Sequence, residues 1–444
     1  MNLIVHPGAK LSGDILLPGD KSISHRAALL AAMADGESRI ERFLVSGVTR
    51  AMLDALTGLG VGWELEGDTL RVAGTGAFSV PQKALDCGNS ATTMRLLAGA
   101  IAARGIPAML DGSPGLRRRP MERIIEPLRA MGVSVAAHAT GGAPLAFGRR
   151  DSGRRLKAID HHLPVASAQV KSCLLLAGLA ADGAFIISEP ALSRDHSERM
   201  LRSLGVEIQP LRLEDRPAVR ITPPGILQFP PLTMTIPGDF SAAAFLLVAA
   251  LVARGSHITL RGVNLNPTRA GLLDTLQEMG AGIVLDNLRQ QGGEPIGDLV
   301  VRAAELHGVA VSGDRVVQMI DEFPVFAVAA AYAHGRSVVT QAGELRYKES
   351  DRITALCERL RALGVQVQEL PDGFIIDGCG AVPGGGCLDA HGDHRLAMAM
   401  AVAGLGASRP VEIEGAEILA ESFPQFPAIL RELGAALVER EEHA

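Results

Sequence analysis

Apolar positions along the chain fall into two helical patterns, and the pair of patterns recurs six times. The first is an amphipathic phrase bearing Arg, Glu and Asp, which ends in Leu or Met, then Gly, then Val or Ala. It closes at Leu59-Gly60-Val61, Met131-Gly132-Val133, Leu204-Gly205-Val206, Met279-Gly280-Ala281, Leu363-Gly364-Val365 and Leu433-Gly434-Ala435, and an alternating or apolar strand pattern follows. The glycines are spaced by 72, 73, 75, 84 and 70 residues. Each stands where a left-handed residue closes a helix. The second pattern, as in HRAALLAAMADG and SCLLLAGLAADG, is Ala/Leu-rich, apolar nearly all round, and also followed by a strand. A helix of that kind belongs inside, surrounded by other elements, whereas the amphipathic phrase lies nearer the surface. Repetition at this regularity predicts six units, each with two helices and several short strands.

Six units divide as three plus three. Pro18-Gly19-Asp20 before the first apolar helix reappears as Pro237-Gly238-Asp239 before the fourth, so the two turns are equivalent points and read as crossovers between domains. The expected division is residues 20–238 as one domain and 1–19 plus 239–444 as the other, with the N-terminal segment returning as a strand. A simple cut near residue 238 is the alternative. The Gly/Pro-rich stretches 222–231, 291–297 and 381–387 are expected to be surface loops.

Composition narrows the function classes. At 444 residues with 47% hydrophobic content the chain is globular and too long for one core. A net charge of -6 and 3% aromatics argue against a nucleic-acid or membrane partner, so any anion site must be local. Five cysteines without a CxxC pair fit a reducing cytoplasm. The start of the chain shows no signal-peptide pattern, and the longest apolar run, Ala242 to Ala253, is too short to span a bilayer. A soluble cytoplasmic protein is expected.

Polar clusters recur where the apolar helices begin. Asp20-Lys21-Ser22-Ile23-Ser24-His25-Arg26 opens the first. A helix start offers unpaired N–H groups and the positive end of the macrodipole, so Lys21, Ser22 and Arg26 there suit phosphate or carboxylate; a plain Asp or Ser cap is the alternative. Asp86-Cys87-Gly88-Asn89-Ser90-Ala91-Thr92-Thr93-Met94-Arg95, a turn with hydroxyls, an amide and an Arg, leads into the second, and Arg117-Arg118-Arg119-Pro120 precedes a helix that Pro120 is expected to open. Ser167-Ala168-Gln169-Val170-Lys171-Ser172 and Ser193-Arg194-Asp195-His196 follow, then Asp321-Glu322-Phe323-Pro324, Lys348-Glu349-Ser350-Asp351-Arg352 and His391-Gly392-Asp393-His394-Arg395. In the last three the acids adjoin bases, which suits proton transfer. Lys348 and Arg352, read as one helical turn apart, would repel each other unless they share an anion. No P-loop, dinucleotide fingerprint or nucleophile elbow occurs. Cys387, His391 and His394 lack a convincing fourth zinc ligand.

These clusters, PGDKSISHRA, DCGNSATTMR, RRRPMERI, SAQVKS, SRDHSE, DEFP, KESDR and GDHR, stand in one order over the whole chain. In them the sequence resembles the 5-enolpyruvylshikimate-3-phosphate synthase family, and most the glyphosate-insensitive-like bacterial variety. The resemblance implies an α/β (α+β) enolpyruvyl transferase fold of six βαβαββ repeats, three per domain around a pseudo-threefold axis, with the active site in the cleft between domains. It implies an enzyme, a 3-phosphoshikimate 1-carboxyvinyltransferase. Such an enzyme moves the enolpyruvyl group of phosphoenolpyruvate to the 5-hydroxyl of shikimate 3-phosphate by addition and elimination. The partners implied are those two small molecules, with no metal and no organic cofactor; a monomer is the default.

By the same resemblance Lys21, Ser22, Arg26, Ser167, Ala168, Gln169, Arg194, Asp321 and Lys348 would bind shikimate 3-phosphate. Lys21, Asn89, Ala91, Arg119, Gln169, Arg352 and Arg395 would bind phosphoenolpyruvate. Asp321, Glu349 and Lys21 would be catalytic, Asp321 taking the proton of the attacking hydroxyl and Glu349 protonating the methylene carbon. Domain closure would gather the charges and exclude water. Three residues depart from the common family pattern. Ala91 stands for Gly, Leu96 for Pro, and Glu421 for a phosphoenolpyruvate-binding Lys. The alternatives are the sister transferase acting on UDP-N-acetylglucosamine, whose acid is a loop cysteine that DGSPGLRRR lacks, and a non-catalytic anion-binding repeat module.

Overall fold

The computed structural model describes residues 1–441. The chain divides into two compact units. One comprises Met1–Pro18, Gly238–Gln290 and the chain from Pro295 onward; the other comprises Gly19–Pro237 and the short segment Gln291–Glu294. Each has its own hydrophobic core. The apolar helices lie inside those cores: Lys21–Met33, Ala91–Arg104 and Ala168–Gly178 in the second unit, and Phe240–Val252, Phe323–Tyr332 and His394–Gly406 in the first. Every residue of Phe240–Val252 is buried, as a helix without a polar face requires.

Six amphipathic helices end in one local motif. Gly60, Gly132, Gly205, Gly280, Gly364 and Gly434 all have φ between 81° and 105°. In each, the glycine N–H and the N–H after it reach back to the last helical turn, as Gly60 N does to Thr57 O at 2.9 Å and Val61 N to Leu56 O at 3.0 Å. These are paired 5→2 and 6→1 closures, which need a left-handed residue that glycine adopts without strain.

Among the described residues the strands form six four-stranded sheets, three in each unit, with one shared plan. A short strand pairs in parallel with a second, whose other edge meets a third in antiparallel fashion, and the fourth closes the far edge, as in His161–His162, Phe185–Ser188, Arg216–Thr222 and Glu207–Leu213. Three of these strands come from distant parts of the chain. Thr233–Thr235 completes the sheet of Asp35–Glu41, and Ser12–Leu16 completes that of His257–Asn264. Asn2–His6 lies between Val411–Glu414 and Ala436–Arg440. The N-terminal segment therefore supplies two strands to two sheets, where the sequence predicts one. At the crossings Asp20 N donates to Pro237 O at 2.8 Å in one unit, and Asp239 N donates to Pro18 O at 3.0 Å in the other.

The stretch 291–297 is not a surface loop throughout. Gly292 and Gly293 turn the chain between the strands Gly282–Gln291 and Glu294–Arg302, and residues 294–297 begin the second strand, where Glu294 and Ile296 are buried. Among the described residues no helix is long and apolar enough to cross a membrane.

Candidate active site

In the second unit the polar clusters sit at helix starts, capped by side chains. Asp20 accepts from Ile23 N at 3.0 Å, Ser90 from Thr93 N at 3.1 Å and Ser167 from Val170 N at 3.5 Å. Each cap places the next residues, Lys21-Ser22, Ala91 and Ala168-Gln169, in the first helical turn.

Arg26, one turn further in, is buried and spends three donors on the protein. Nε reaches Ser197 Oγ at 2.7 Å, Nη2 reaches Ser172 Oγ at 2.7 Å, and Nη1 reaches Ser22 O at 2.9 Å. Burial brings its guanidinium down to about 10, opposed most by Glu198. It stays charged at neutral pH, beside Ser22 and tied to the third helix by Ser172. Gln169 is held at both ends of its amide, accepting from Arg95 Nη1 at 2.6 Å and donating to Thr92 Oγ1 at 2.8 Å. Arg95 Nη2 also donates to Pro120 O at 2.9 Å, next to Arg119. Arg95 therefore joins three clusters that sequence reasoning assigned separately. The sequence marks Arg95 as the cation entering the second apolar helix but gives no sign of these partners. Asn89 accepts from Ser113 Oγ at 2.8 Å, and Arg194 is half-buried just before the helix His196–Ser203.

One detail differs from the expectations, and two further side chains of these motifs are committed elsewhere in the protein. Pro120 does not open a helix: the next begins at Glu122 with Met121 at its cap, while Pro114 opens the short turn Pro114–Arg117. Of the three arginines there, Arg117 turns outward to Asp111, whose carboxyl it holds below the usual range. Lys171 is not presented to a ligand; its buried ammonium lies 2.7 Å from Glu189 and 2.8 Å from Glu198.

In the first unit the acids and arginines converge. Arg352 opens the helix Arg352–Ala362 and is almost wholly buried. Its Nε meets Asp393 Oδ2 at 2.8 Å, Nη2 meets Glu349 Oε2 at 2.6 Å, and Nη1 lies 3.6 Å from Asp321 Oδ1. Arg395 Nη2 lies 3.6 Å from the other oxygen of Asp321, and its Nη1 donates to Asp321 O at 3.0 Å. Asp393 caps its helix through Arg395 N at 2.9 Å. Burial pushes Asp393 up but Arg352 more than reverses it, leaving the carboxyl ionised. Burial likewise opposes the charge on Arg352, and Asp393 and Glu349 outweigh it, so this cation is permanent. The side chains of Asp321 and Glu349 keep 20% and 25% exposure while the arginines are buried, so the two acids meet solvent in front of fixed cations.

Lys348 and Arg352 are not one helical turn apart. Lys348 is extended after the 3₁₀ turn Gly343–Tyr347, and Asp351 caps the next helix. The argument from cation repulsion therefore falls, and the charge of Arg352 is met by three carboxylates. Glu421 ends the 3₁₀ turn Ala416–Glu421.

In the second unit His25 is buried, with Nδ1 2.8 Å from Lys21 O and Nε2 3.2 Å from Val48 O. Burial lowers its imidazole from 6.5 to about 4, so it is neutral in the fold at pH 7. The unfolded chain takes up this proton first as pH falls. Stability is full above pH 6.5 and declines by about 3 kcal/mol by pH 4 from this group. Urea denaturation across that range should show the loss, and His25→Gln should flatten it.

Comparison with known proteins bears on this arrangement. The EPSP synthase (3-phosphoshikimate 1-carboxyvinyltransferase) family matches residues 5–430. A 3-phosphoshikimate 1-carboxyvinyltransferase of Desulforamulus reducens is 45% identical over 98% of this chain and 99% of its own. One of Acidithiobacillus ferrooxidans is 47% identical over 98% of both. The solved EPSP synthase of Acinetobacter baumannii superposes with a TM-score of 0.85 at 37% identity, covering 99% of this chain and 100% of that one.

Proposed function

The chain belongs to the EPSP synthase family, and from that premise we propose how its residues divide the work. It is a 3-phosphoshikimate 1-carboxyvinyltransferase of the shikimate pathway, moving the enolpyruvyl group of phosphoenolpyruvate to the 5-hydroxyl of shikimate 3-phosphate with release of phosphate. Transfer to a UDP-sugar and a purely binding role are not favoured, since the named relatives are carboxyvinyltransferases of the shikimate substrate.

In this reading Lys21, Ser22, Arg26, Ser167, Ala168, Gln169 and Arg194 bind shikimate 3-phosphate, helped by Asp321 and Lys348. Phosphoenolpyruvate takes Lys21, Asn89, Ala91, Arg119, Gln169, Arg352 and Arg395. Asp321 accepts the proton of the attacking hydroxyl, and Glu349 protonates the methylene carbon, with Lys21 beside the transferred group. The observation that carries the assignment is the placement of Asp321 3.6 Å from both Arg352 and Arg395, with Glu349 bonded to Arg352 at 2.6 Å. Bidentate guanidinium groups suit a carboxylate and a phosphate. A ligand carboxylate on Arg352 competes with Glu349 for that cation. A carboxyl displaced beside a ligand anion favours its protonated form, which is what donation to carbon requires. The reverse transfers then serve elimination.

The direct assay is phosphate release from phosphoenolpyruvate that depends on shikimate 3-phosphate; release driven by UDP-N-acetylglucosamine instead would overturn the reading. Ala91 is buried at the first position of its helix, and a methyl there narrows the space left for the larger herbicide glyphosate. Ala91→Gly is therefore expected to lower the glyphosate inhibition constant with the Michaelis constant for phosphoenolpyruvate little changed. A cytoplasmic location completes the proposal, supported by five free cysteine thiols, with a monomer as the default.

A further inference from the structure

The first unit contains a buried polar run that none of these roles uses. Asp239 caps the helix Phe240–Val252, accepting from Ser241 N at 2.7 Å, and also accepts from Arg269 Nη2 at 2.8 Å. Arg269, 1% exposed, is with Arg352 among the largest fully enclosed side chains of the protein. The same Nη2 is 2.9 Å from Ser241 Oγ, and that hydroxyl donates to Glu322 Oε1. Glu322 is wholly buried; its Oε1 lies 3.9 Å from Arg395 Nη1, and its Oε2 has no hydrogen-bond partner among the described residues. The run ends on Arg395, which donates to the backbone oxygen of Asp321.

A carboxylate enclosed in this way is costly, and more so with one oxygen unsatisfied. Packing alone would be served as well by an uncharged side chain of the same size. Arg395 is the cation nearest Glu322 and shares it with Asp321, so the charge of Glu322 acts on the orientation of that guanidinium. We infer that Glu322 is a positioning residue for phosphoenolpyruvate. It holds one edge of Arg395 so that the edge facing Asp321 stays presented to the substrate, and Ser241 and Arg269 hold Glu322 in turn. The inference rests on the reading that Arg395 grips phosphoenolpyruvate.

Three variants of the full chain, Glu322→Gln, Ser241→Ala and Arg395→Lys, test it by steady-state kinetics with each substrate varied in turn. Removing the charge of Glu322 should raise the KM for phosphoenolpyruvate roughly 10-fold, with the KM for shikimate 3-phosphate within about twofold and kcat per folded molecule within about threefold. Ser241→Ala, which leaves helix and charge in place, should move the same constant in the same direction by roughly threefold and carries the test if Glu322→Gln does not fold. A purely structural role would lower the melting temperature and the active fraction and leave the KM values alone; that result in both variants overturns the inference. If Arg395→Lys raises the KM for phosphoenolpyruvate while the other two do not, the positioning role alone falls. If Arg395→Lys leaves that KM unchanged, the assignment of Arg395 falls and the inference with it.

Discussion

Glu349→Gln is expected to lower kcat by roughly 10²–10⁴-fold while both Michaelis constants stay within a few-fold. Glutamine keeps the size of the side chain and an oxygen for Arg352 Nη2, now 2.6 Å from the carboxylate. What it loses is the proton that, in the proposed mechanism, reaches the methylene carbon. Glutamine fills the same volume, and Arg352 keeps its buried partner Asp393 at 2.8 Å, so the fold should be retained. The check is turnover per active site at saturating substrates, with binding of phosphoenolpyruvate measured separately. Residual turnover above a tenth of the parent would assign the acid elsewhere.

Arg352→Met is expected to damage stability and activity together, by separable routes. The substitution leaves Asp393, fully buried, without its partner at 2.8 Å. Stranding one member of a buried ion pair costs about 3–5 kcal/mol. By contrast, Arg336→Met breaks an exposed pair with Asp377 and should not measurably shift the denaturation midpoint. Adding Asp393→Asn to Arg352→Met removes the stranded charge and should restore a good part of the stability. It should restore none of the affinity for phosphoenolpyruvate, because the cation proposed to grip that substrate is still missing. Urea denaturation and substrate titration of the single and double variants separate the two effects. Equal midpoints for the parent and Arg352→Met would remove Arg352 from the structural framework.

Part of this protein is legible in its sequence because the interactions concerned are local. The helix closures at Gly60 through Gly434 span six residues each, so a Leu/Met-Gly-Val/Ala phrase is enough to locate them. All-round apolarity likewise placed Phe240–Val252 and its counterparts in the cores, and capping residues marked where Lys21, Ala91, Ala168 and Arg395 enter their helices. Local pattern misled where tertiary demand prevailed. KESDR looks helical but is interrupted at Lys348, and 291–297 looks like a loop but buries Glu294 and Ile296.

The tertiary structure alone decided the pairings that make the site. Arg352 faces Asp393, 41 positions away, and Arg95 faces Gln169, 74 positions away. Nothing in either segment names the other. The same holds for Asn2–His6, whose partners lie some four hundred residues on, and for Lys171, whose charge is met by two buried glutamates from later segments. A hydrogen-bonded turn is selected by the few residues that form it. The partner of a buried charge is selected by whichever distant segment the packed core delivers, since an unpaired charge there could not persist.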